Sequence, residues 1–268
     1  MARVNRLGIL AALAASVALS GCAAPPPHLE PGGPRVGVVV LHGKWDNPYG
    51  HTLKFTRMMQ AVGFLTDSPE MTWSTRRSYD AGVEGMVSEI GEAVERLRSR
   101  GAQKIFIAGE SLGAAGAMRY AALHRVDGLV ALSPGHFPEG QRFAELVAGS
   151  LAKARAMRPG ETAPFDDPNN GGRMRQVPMK AGTYLGFFGA DGPMNFRRNC
   201  ASIRPGTPVL WVVGRGEEEG LKRMGELAFK ALPADPPAER VEVSGGHLDT
   251  AAEAAALCAL WIDRVARR

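Results

Sequence analysis

The chain has 268 residues, 22% of them charged, and its 32 basic and 27 acidic side chains give a formal net charge of +5. So small an excess, spread along the chain, favours solubility and does not mark a nucleic-acid surface. The basic pairs Arg76-Arg77 and Arg197-Arg198 stand alone, without the interleaved aromatic residues that nucleic-acid binding would use, so no nucleic acid is expected as a partner.

Residues 1–21 have the pattern of an export leader. Two arginines are followed by an almost uninterrupted apolar run over residues 7–19, which is too short to span a bilayer. The run ends in Leu19-Ser20-Gly21-Cys22, and the whole segment resembles the leader of a bacterial lipoprotein precursor. The resemblance implies cleavage before Cys22, lipidation of its thiol as a membrane anchor in the bacterial cell envelope and, since Ala23 follows, sorting to the outer membrane facing the periplasm. The alternative is an ordinary cleaved signal with an incidental cysteine.

A short segment separates this leader from the rest of the chain. Residues 22–34 contain five prolines and two glycines, a composition that predicts an extended, unpacked tether. Residues 35–268 then have a length suited to one α/β domain. None of the apolar runs in this part of the sequence is long enough to cross a membrane.

Short apolar runs alternate with helical patterns through this domain. Strands are predicted over residues 36–41, 64–66, 105–108, 127–132, 208–213 and 240–243. Helices are predicted over residues 52–62, 83–100, 114–124 and 250–265. Continuous apolar strands separated by helices are typical of an α/β protein, in which helices cover both faces of a mostly parallel sheet.

The sequence Gly109-Glu110-Ser111-Leu112-Gly113 has the pattern of a nucleophile elbow. It follows the predicted strand 105–108 and precedes a run of alanines and glycine, so strand, sharp turn and helix occur in the required order. The two glycines leave room for the helix to approach the strand. Ser111 is therefore the candidate nucleophile, and the N–H of Leu112 at the helix start is a candidate donor to an oxyanion.

Two other strand ends carry further candidates. His42-Gly43-Lys44 follows the first strand, and the backbone N–H of Lys44 is the expected second oxyanion donor. The last strand ends in glycines and delivers His247 onto a loop, from which its imidazole can reach the serine. Trp73 and His136 follow strand exits and are expected to border the site.

These landmarks resemble the α/β-hydrolase superfamily, including its serine aminopeptidase and monoglyceride-lipase-like branch. In that family His-Gly follows an early strand, GxSxG the central strand, an acid the penultimate strand and a histidine the last. His42, Ser111 and His247 occur in this order here. The resemblance implies the α/β-hydrolase fold, a Ser-His-acid triad and a cap inserted after the central strands.

The acid of this triad is expected after the penultimate strand, where three glutamates follow one another. Glu217 falls where the family places an aspartate, and its carboxylate would accept the Nδ1 proton of His247. Glu218 is the chief alternative, since glutamate is one methylene longer than aspartate. Asp191 and Asp249 are outside candidates, and Asp249 is better placed to cap the final helix.

Residues 136–207 are the expected cap or lid. A helix is predicted over 139–157, and the Pro, Asp, Asn and Gly residues of 159–172 predict an exposed loop. The aromatic sequence over 184–188 either lines an acyl pocket or packs in the core. The shape of this region decides which substrates fit.

The expected function is a serine hydrolase that cleaves a small-molecule carboxylic ester, with thioesters, lactones and amides as substrates of the same chemistry. No metal or organic cofactor is expected. One alternative is a non-catalytic envelope lipoprotein that uses the fold as a binding module, and another is a cofactor-free perhydrolase or haloperoxidase. An oxidising compartment would allow Cys200 and Cys258 to pair, although Cys258 falls on the apolar face of the last helix.

Overall fold

The computed structural model describes residues 27–268, so the predicted leader and Cys22 lie outside the described residues. The strands are Val36–Leu41 (β1), Leu65–Asp67 (β2), Lys104–Glu110 (β3), Gly128–Leu132 (β4), Thr162–Pro168 (β5), Met174–Lys180 (β6), Val209–Gly214 (β7) and Glu239–Val243 (β8). The helices are Leu53–Ala61 (α1), Val83–Ser99 (α2), Leu112–Leu123 (α3), Gln141–Arg155 (α4), Ala181–Phe188 (α5), Phe196–Ala201 (α6), Glu219–Phe229 (α7), Thr250–Glu253 (α8) and Ala255–Ala266 (α9).

Six of the strands form one sheet in the order β2-β1-β3-β4-β7-β8, and every neighbouring pair is parallel. The prediction of an α/β protein with a parallel sheet is confirmed. All six residues of β1 are buried, because helices cover the sheet on both sides and leave no face for polar side chains. In the central strand β3, Gly109 pairs with Leu41 of β1 and Glu110 pairs with Leu132 of β4. The three strands therefore end next to one another.

Alternate side chains of each strand enter two separate cores. Val38 and Val40 of β1 pack in the layer formed by α1, α8 and α9, whereas Val39 and Leu41 pack in the layer with α2 and α3. The closing helix that the sequence predicted is present but interrupted at Ala254, which divides it into α8 and α9. No helix within residues 27–268 has both the length and the apolar character needed to cross a bilayer.

An insertion lies between β4 and β7, and its buried side chains share the core layer that contains α2 and α3. It contains α4, the antiparallel pair β5 and β6, then α5 and α6. The prediction of an exposed loop over residues 159–172 is wrong, because β5 occupies half of that segment and Phe165 of β5 pairs with Val177 of β6. Phe165 and Asp167 are fully buried while Thr162 and Pro164 face solvent. The strand therefore buries alternate side chains, a period that its prolines and acids obscure.

The aromatic residues over 184–188 pack in the core that this insertion shares with the rest of the domain. Tyr184, Phe187 and Phe188 are fully buried on α5. The Tyr184 ring stacks on Phe165 and on Phe188, each with centroids 4.5 Å apart. Of the two interpretations left open by the sequence, core packing is the one that these contacts support.

The two cysteines in the described part of the chain are unpaired and buried. Cys200 lies on α6 and Cys258 on α9, in the two different core layers. The sheet between these layers keeps the thiols apart, so no disulfide links them. Burial raises the pKa of both thiols, and both residues behave as small apolar side chains.

Candidate active site

Four strand ends bring the candidate residues to one edge of the sheet. Because the strands are parallel, the loops after β1, β3, β7 and β8 all leave at the same edge. In chain order these loops or helix starts carry Lys44, Ser111, Glu217 and His247. All four residues line one cleft of about 580 Å³.

Ser111 occupies a strained turn between β3 and α3. Its φ of 55° and ψ of −117° are costly for a residue that carries a side chain. Two glycines make the turn possible, since a Cβ at Gly109 would collide with the carbonyl of Gly113, and a Cβ at Gly113 with the carbonyl of Leu41. The main chain thus holds the serine at the floor of the cleft.

Ser111, His247 and Glu217 form a continuous hydrogen-bonded chain. The Ser111 hydroxyl lies 2.9 Å from Nε2 of His247, and Nδ1 of His247 lies 2.8 Å from Oε2 of Glu217. Because an ionised carboxylate can only accept, Nδ1 carries the proton, and Nε2 is free to accept the hydroxyl proton. Such a chain can transfer a proton from serine to histidine while the carboxylate stabilises the resulting imidazolium.

The other acidic candidates lie elsewhere. Glu217 is only 6% exposed, which protects its hydrogen bond from water. Glu218 is exposed and forms an ion pair of 2.6 Å with Arg142. Asp191 is exposed, and Asp249 accepts a hydrogen bond from the Gly246 N–H. Asp249 stands at the start of α8, but its side chain makes none of the expected capping hydrogen bonds to that helix.

The electrostatic surroundings of His247 favour its charged form. Burial acts to lower the pKa of His247, but the hydrogen bond and charge of Glu217, with smaller effects of Glu110 and Glu218, outweigh it and raise the pKa. Glu110 is buried beneath the cleft, with Oε1 4.0 Å from Nε2 of His247. Burial raises the pKa of this carboxyl to about 7, so Glu110 is incompletely ionised near neutral pH.

The two expected oxyanion donors both line the cleft. Leu112 is the first residue of α3, and an N–H in the first turn of a helix has no acceptor within the helix. The Lys44 N–H has no hydrogen-bond partner among residues 27–268. The Lys44 side chain contacts β5, where its ammonium donates to Oδ1 of Asp167 at 2.6 Å and to the Pro168 carbonyl at 2.8 Å.

Two residues of the β5–β6 hairpin reach the site, although the sequence did not single them out. Asn170, at the tip, has its amide nitrogen 3.1 Å from Nε2 of His247. Asp167 is fully buried and contacts the loop after β1. Neither belongs to a motif, and both come from the segment predicted to be an exposed loop. The only sequence signal for this strand was the alternation of buried and exposed side chains along β5.

The remaining candidates are placed at the back of the cleft. His136 lines it and is buried, with Nε2 donating to the Phe187 carbonyl. Burial, with the nearby Lys44 charge, lowers the pKa of His136 well below its usual value. Trp73 is buried behind the cleft and donates to the His42 carbonyl, while His42 accepts from the Met71 N–H. His42 and Trp73 therefore brace the loop and do not face the serine.

A second cavity of about 450 Å³ adjoins the first, between the starts of α4 and α7. Asn169, Asn170, Glu218 and Leu221 line both. The remaining lining of the second cavity includes the apolar side chains of Phe137, Phe143, Leu146 and Met224 and the polar or charged side chains of Gln141, Arg142, Glu145 and Arg223. Within residues 27–268 no group of three or more His, Cys, Asp or Glu side chains has the arrangement of a metal site.

Solved structures share this architecture. A structure reported for the metagenome-derived lipolytic enzymes LipS and LipT matches with a TM-score of 0.61 and 17% identity, covering 88% of this chain and 94% of that one. The monoacylglycerol lipase of Paleococcus ferrophilus matches with a TM-score of 0.61 and 20% identity over 85% and 94%. Est1E from Butyrivibrio proteoclasticus gives 0.59 and 18% over 87% and 88%.

No family model matches the sequence, and no curated protein does. Identities this low establish the fold alone. The chain therefore has the α/β-hydrolase fold, as its sequence motifs predicted.

Proposed function

We propose that this protein is a serine hydrolase that cleaves carboxylic esters by acyl transfer. The observation that carries the proposal is the hydrogen-bonded chain from the strained Ser111 through His247 to Glu217. Chance rarely aligns a serine, a correctly oriented imidazole and a buried carboxylate in one cleft. The geometry of the site therefore supports the proposal, and the similarity of the fold to that of lipases and esterases agrees with it.

In the first half of the reaction, Nε2 of His247 takes the Ser111 proton as Oγ bonds to the ester carbonyl carbon. The carbonyl π electrons move to oxygen, and the N–H groups of Lys44 and Leu112 stabilise this oxyanion. Glu217 holds the imidazolium in place. When the tetrahedral intermediate collapses, the bond to the alcohol oxygen breaks, and His247 protonates the departing alcohol.

In the second half, water attacks the acyl group held on Ser111. His247 takes a proton from the water, a second oxyanion forms at the same two N–H groups, and its collapse releases the carboxylic acid. The serine recovers its proton from His247. Each half uses the same residues in reverse roles, so no further acid, base, metal or organic cofactor is needed.

The cavities support an acyl group of moderate size. The cleft at Ser111 adjoins the 450 Å³ cavity, whose lining combines polar and charged side chains with five apolar ones, Phe143 and Met224 among them. We propose that an apolar acyl chain extends from Ser111 toward Phe143 and Met224. Thioesters, lactones and amides require the same residues, and a panel of substrates separates them.

We also propose that the protein is anchored in the bacterial cell envelope through lipid on Cys22. The support is the leader pattern in residues 1–21 and the proline-rich tether that follows it. Metabolic labelling with an alkyne fatty acid should mark the full-length protein and should be lost in Cys22→Ala. Labelling that persists in that variant would contradict the anchor without affecting the proposed chemistry.

The decisive experiment is labelling of the protein with a fluorophosphonate probe, together with hydrolysis of p-nitrophenyl esters of increasing chain length. Ser111→Ala should lose both activities and keep its circular dichroism spectrum. We expect turnover to fall on the order of 10⁴-fold or more. Hydrolysis retained in Ser111→Ala would contradict the mechanism.

Two other outcomes point to the alternative functions. A folded protein whose serine takes no label would support a non-catalytic binding module. If added peroxide and a carboxylate donor are turned over faster than any ester, the activity is that of a perhydrolase. The p-nitrophenyl panel and the peroxide assay use the same protein preparation, so these outcomes can be compared directly.

A further inference from the structure

Asp167 is a fully buried acid that the proposed mechanism does not use. It lies on β5, in the β5–β6 hairpin, far in sequence from the loop that it contacts. One carboxylate oxygen accepts from the Lys44 ammonium and the other from the Trp45 indole N–H, each at 2.6 Å. Two consecutive residues of the loop after β1 are therefore held by one carboxylate.

The surroundings make these contacts strong. The Lys44 side chain is 9% exposed, and its ammonium lies 5.0 Å from the centroid of the Phe188 ring. An ion pair out of water is weakly screened, and removing one partner leaves an uncompensated buried charge. The Pro168 carbonyl accepts a further hydrogen bond from Lys44, so β5 fixes the ammonium from two directions.

The loop held in this way is conformationally strained. Trp45 has a φ of 61°, which is uncommon for a residue with a large side chain. The backbone N–H of Trp45 donates to the Trp73 carbonyl at 3.1 Å. The Arg175 guanidinium of β6 stacks 4.0 Å from the centroid of the Trp45 ring. Contacts to the hairpin thus hold a conformation that the loop would not adopt by itself.

We infer that Asp167 is a positioning residue for the oxyanion hole: by fixing the side chains of Lys44 and Trp45, it sets where the Lys44 N–H points. The inference rests on the proposed function, in which that N–H stabilises the oxyanion. A donor displaced by about 1 Å loses much of its effect on a transition state. Asp167 touches no reacting atom, so it acts through Lys44.

The test compares two substitutions on the same strand. Asp167→Asn keeps the size of the side chain and removes the charge that pairs with Lys44. Asp166→Asn is the matched control, because Asp166 accepts hydrogen bonds from Ser150 and Gln176 within the cap and does not contact the loop. Both variants weaken the cap, but only one changes the support of the oxyanion hole.

For Asp167→Asn we expect kcat to fall about 10- to 100-fold with KM changed less than about threefold. The Ki of a trifluoromethyl ketone, which forms an oxyanion on Ser111, should rise by the same factor as kcat/KM falls. Asp166→Asn should stay within about threefold of wild type in all three constants. A loss of kcat that is equal in both variants, or a loss confined to KM, would overturn the inference.

The kinetics of a second variant and nuclear magnetic resonance spectra test the inference further. If Asp167→Asn does not fold, Trp45→Phe removes one of the two hydrogen bonds and should lower kcat by a smaller factor, with the same effect on the ketone. Nuclear magnetic resonance spectra should show the Lys44 and Trp45 amides shifted in Asp167→Asn and unshifted in Asp166→Asn. A folded wild type that neither hydrolyses esters nor takes the fluorophosphonate overturns the proposed function itself, whereas an active wild type with an equally active Asp167→Asn overturns only the role of Asp167.

Discussion

The six-stranded sheet with its helices and the β5–β6 hairpin build the site in different ways. The sheet places Ser111, Glu217 and His247 directly after strand ends, so main-chain geometry sets their positions. The hairpin contributes the side chains of Asp167 and Asn170 and the carbonyl of Pro168, which contact residues in the loops that follow the strands of the sheet. We expect changes in the sheet to abolish the chemistry or the fold, and changes in the hairpin to alter rates.

The largest expected effect is that of replacing Glu217, which lies in the loop after β7. Glu217→Gln should lower kcat on the order of 10³- to 10⁴-fold, because an amide can donate to Nδ1 of His247 and so favour the wrong tautomer. Glu218→Gln is the matched control and should change kcat less than about threefold, since its carboxylate pairs with Arg142 at the surface. Steady-state kinetics on one p-nitrophenyl ester measures both. A larger loss in Glu218→Gln would reverse the assignment of the acid.

A second large effect, on the free energy of unfolding, is expected when the packing behind Ser111 is changed. Gly109→Ala should destabilise the fold by about 3 kcal/mol or more, because the new methyl would meet the backbone of Gly113 and Ala114. Gly149→Ala, at an open position on α4, should instead stabilise it by about 0.5–1 kcal/mol. Thermal and urea unfolding compare the two. Equal free energies of unfolding for both variants would mean that a methyl group fits at position 109, contrary to the contacts in the structure.

Most of the sheet and the elbow could be predicted because one physical signal dominates there. Strands buried on both faces appear as short continuous apolar runs, and the six predicted strands end within two residues of the observed ones. The GxSxG motif adds a steric requirement that few sequences meet by chance. The distance between Glu217 and His247 could not be obtained this way, since it depends on how two loops pack across the sheet.

The hairpin escaped prediction because its signals conflict. Turns and loops favour proline and aspartate, and β5 contains Pro164, Asp166 and Pro168. In an average of local strand propensity these residues outweigh the buried Phe165 and Asp167. Prolines are tolerated here because both strands of a two-stranded hairpin are edge strands, where an N–H is not required. The contacts of Asp167 join residues more than 120 positions apart, and no local pattern encodes such a pair.

A smaller effect is expected at the tip of the hairpin. Nε2 of His247 has one lone pair, and both the Ser111 hydroxyl at 2.9 Å and the Asn170 amide at 3.1 Å compete for it. Asn170→Ala should therefore raise the second-order rate of fluorophosphonate labelling about two- to fivefold. Asn169→Ala, which leaves the His247 contact intact, should give no increase. A fall of about tenfold in Asn170→Ala would mean that the amide supports the chemistry and does not obstruct it.

The smallest expected effect is a shift in pH dependence that comes from Glu110 beneath the sheet edge. The acid limb of kcat/KM follows His247, which must be neutral to accept the Ser111 proton. The ionised carboxyl of Glu110 is one of the groups that raise the pKa of His247. Glu110→Gln removes that charge, so the pKa of His247 falls and the acid limb moves to lower pH.

The shift should be less than about one pH unit, because Glu110 has a pKa of about 7 and is incompletely ionised near neutral pH. Glu218→Gln again serves as the control: its effect on the pKa of His247 is weaker and comes from an exposed group, so its shift should be smaller and should shrink further in high salt. Glu110 is shielded from solvent, so its shift should persist in salt. A limb that stays in place or moves to higher pH in Glu110→Gln would mean that the charge of this carboxyl does not raise the pKa of His247.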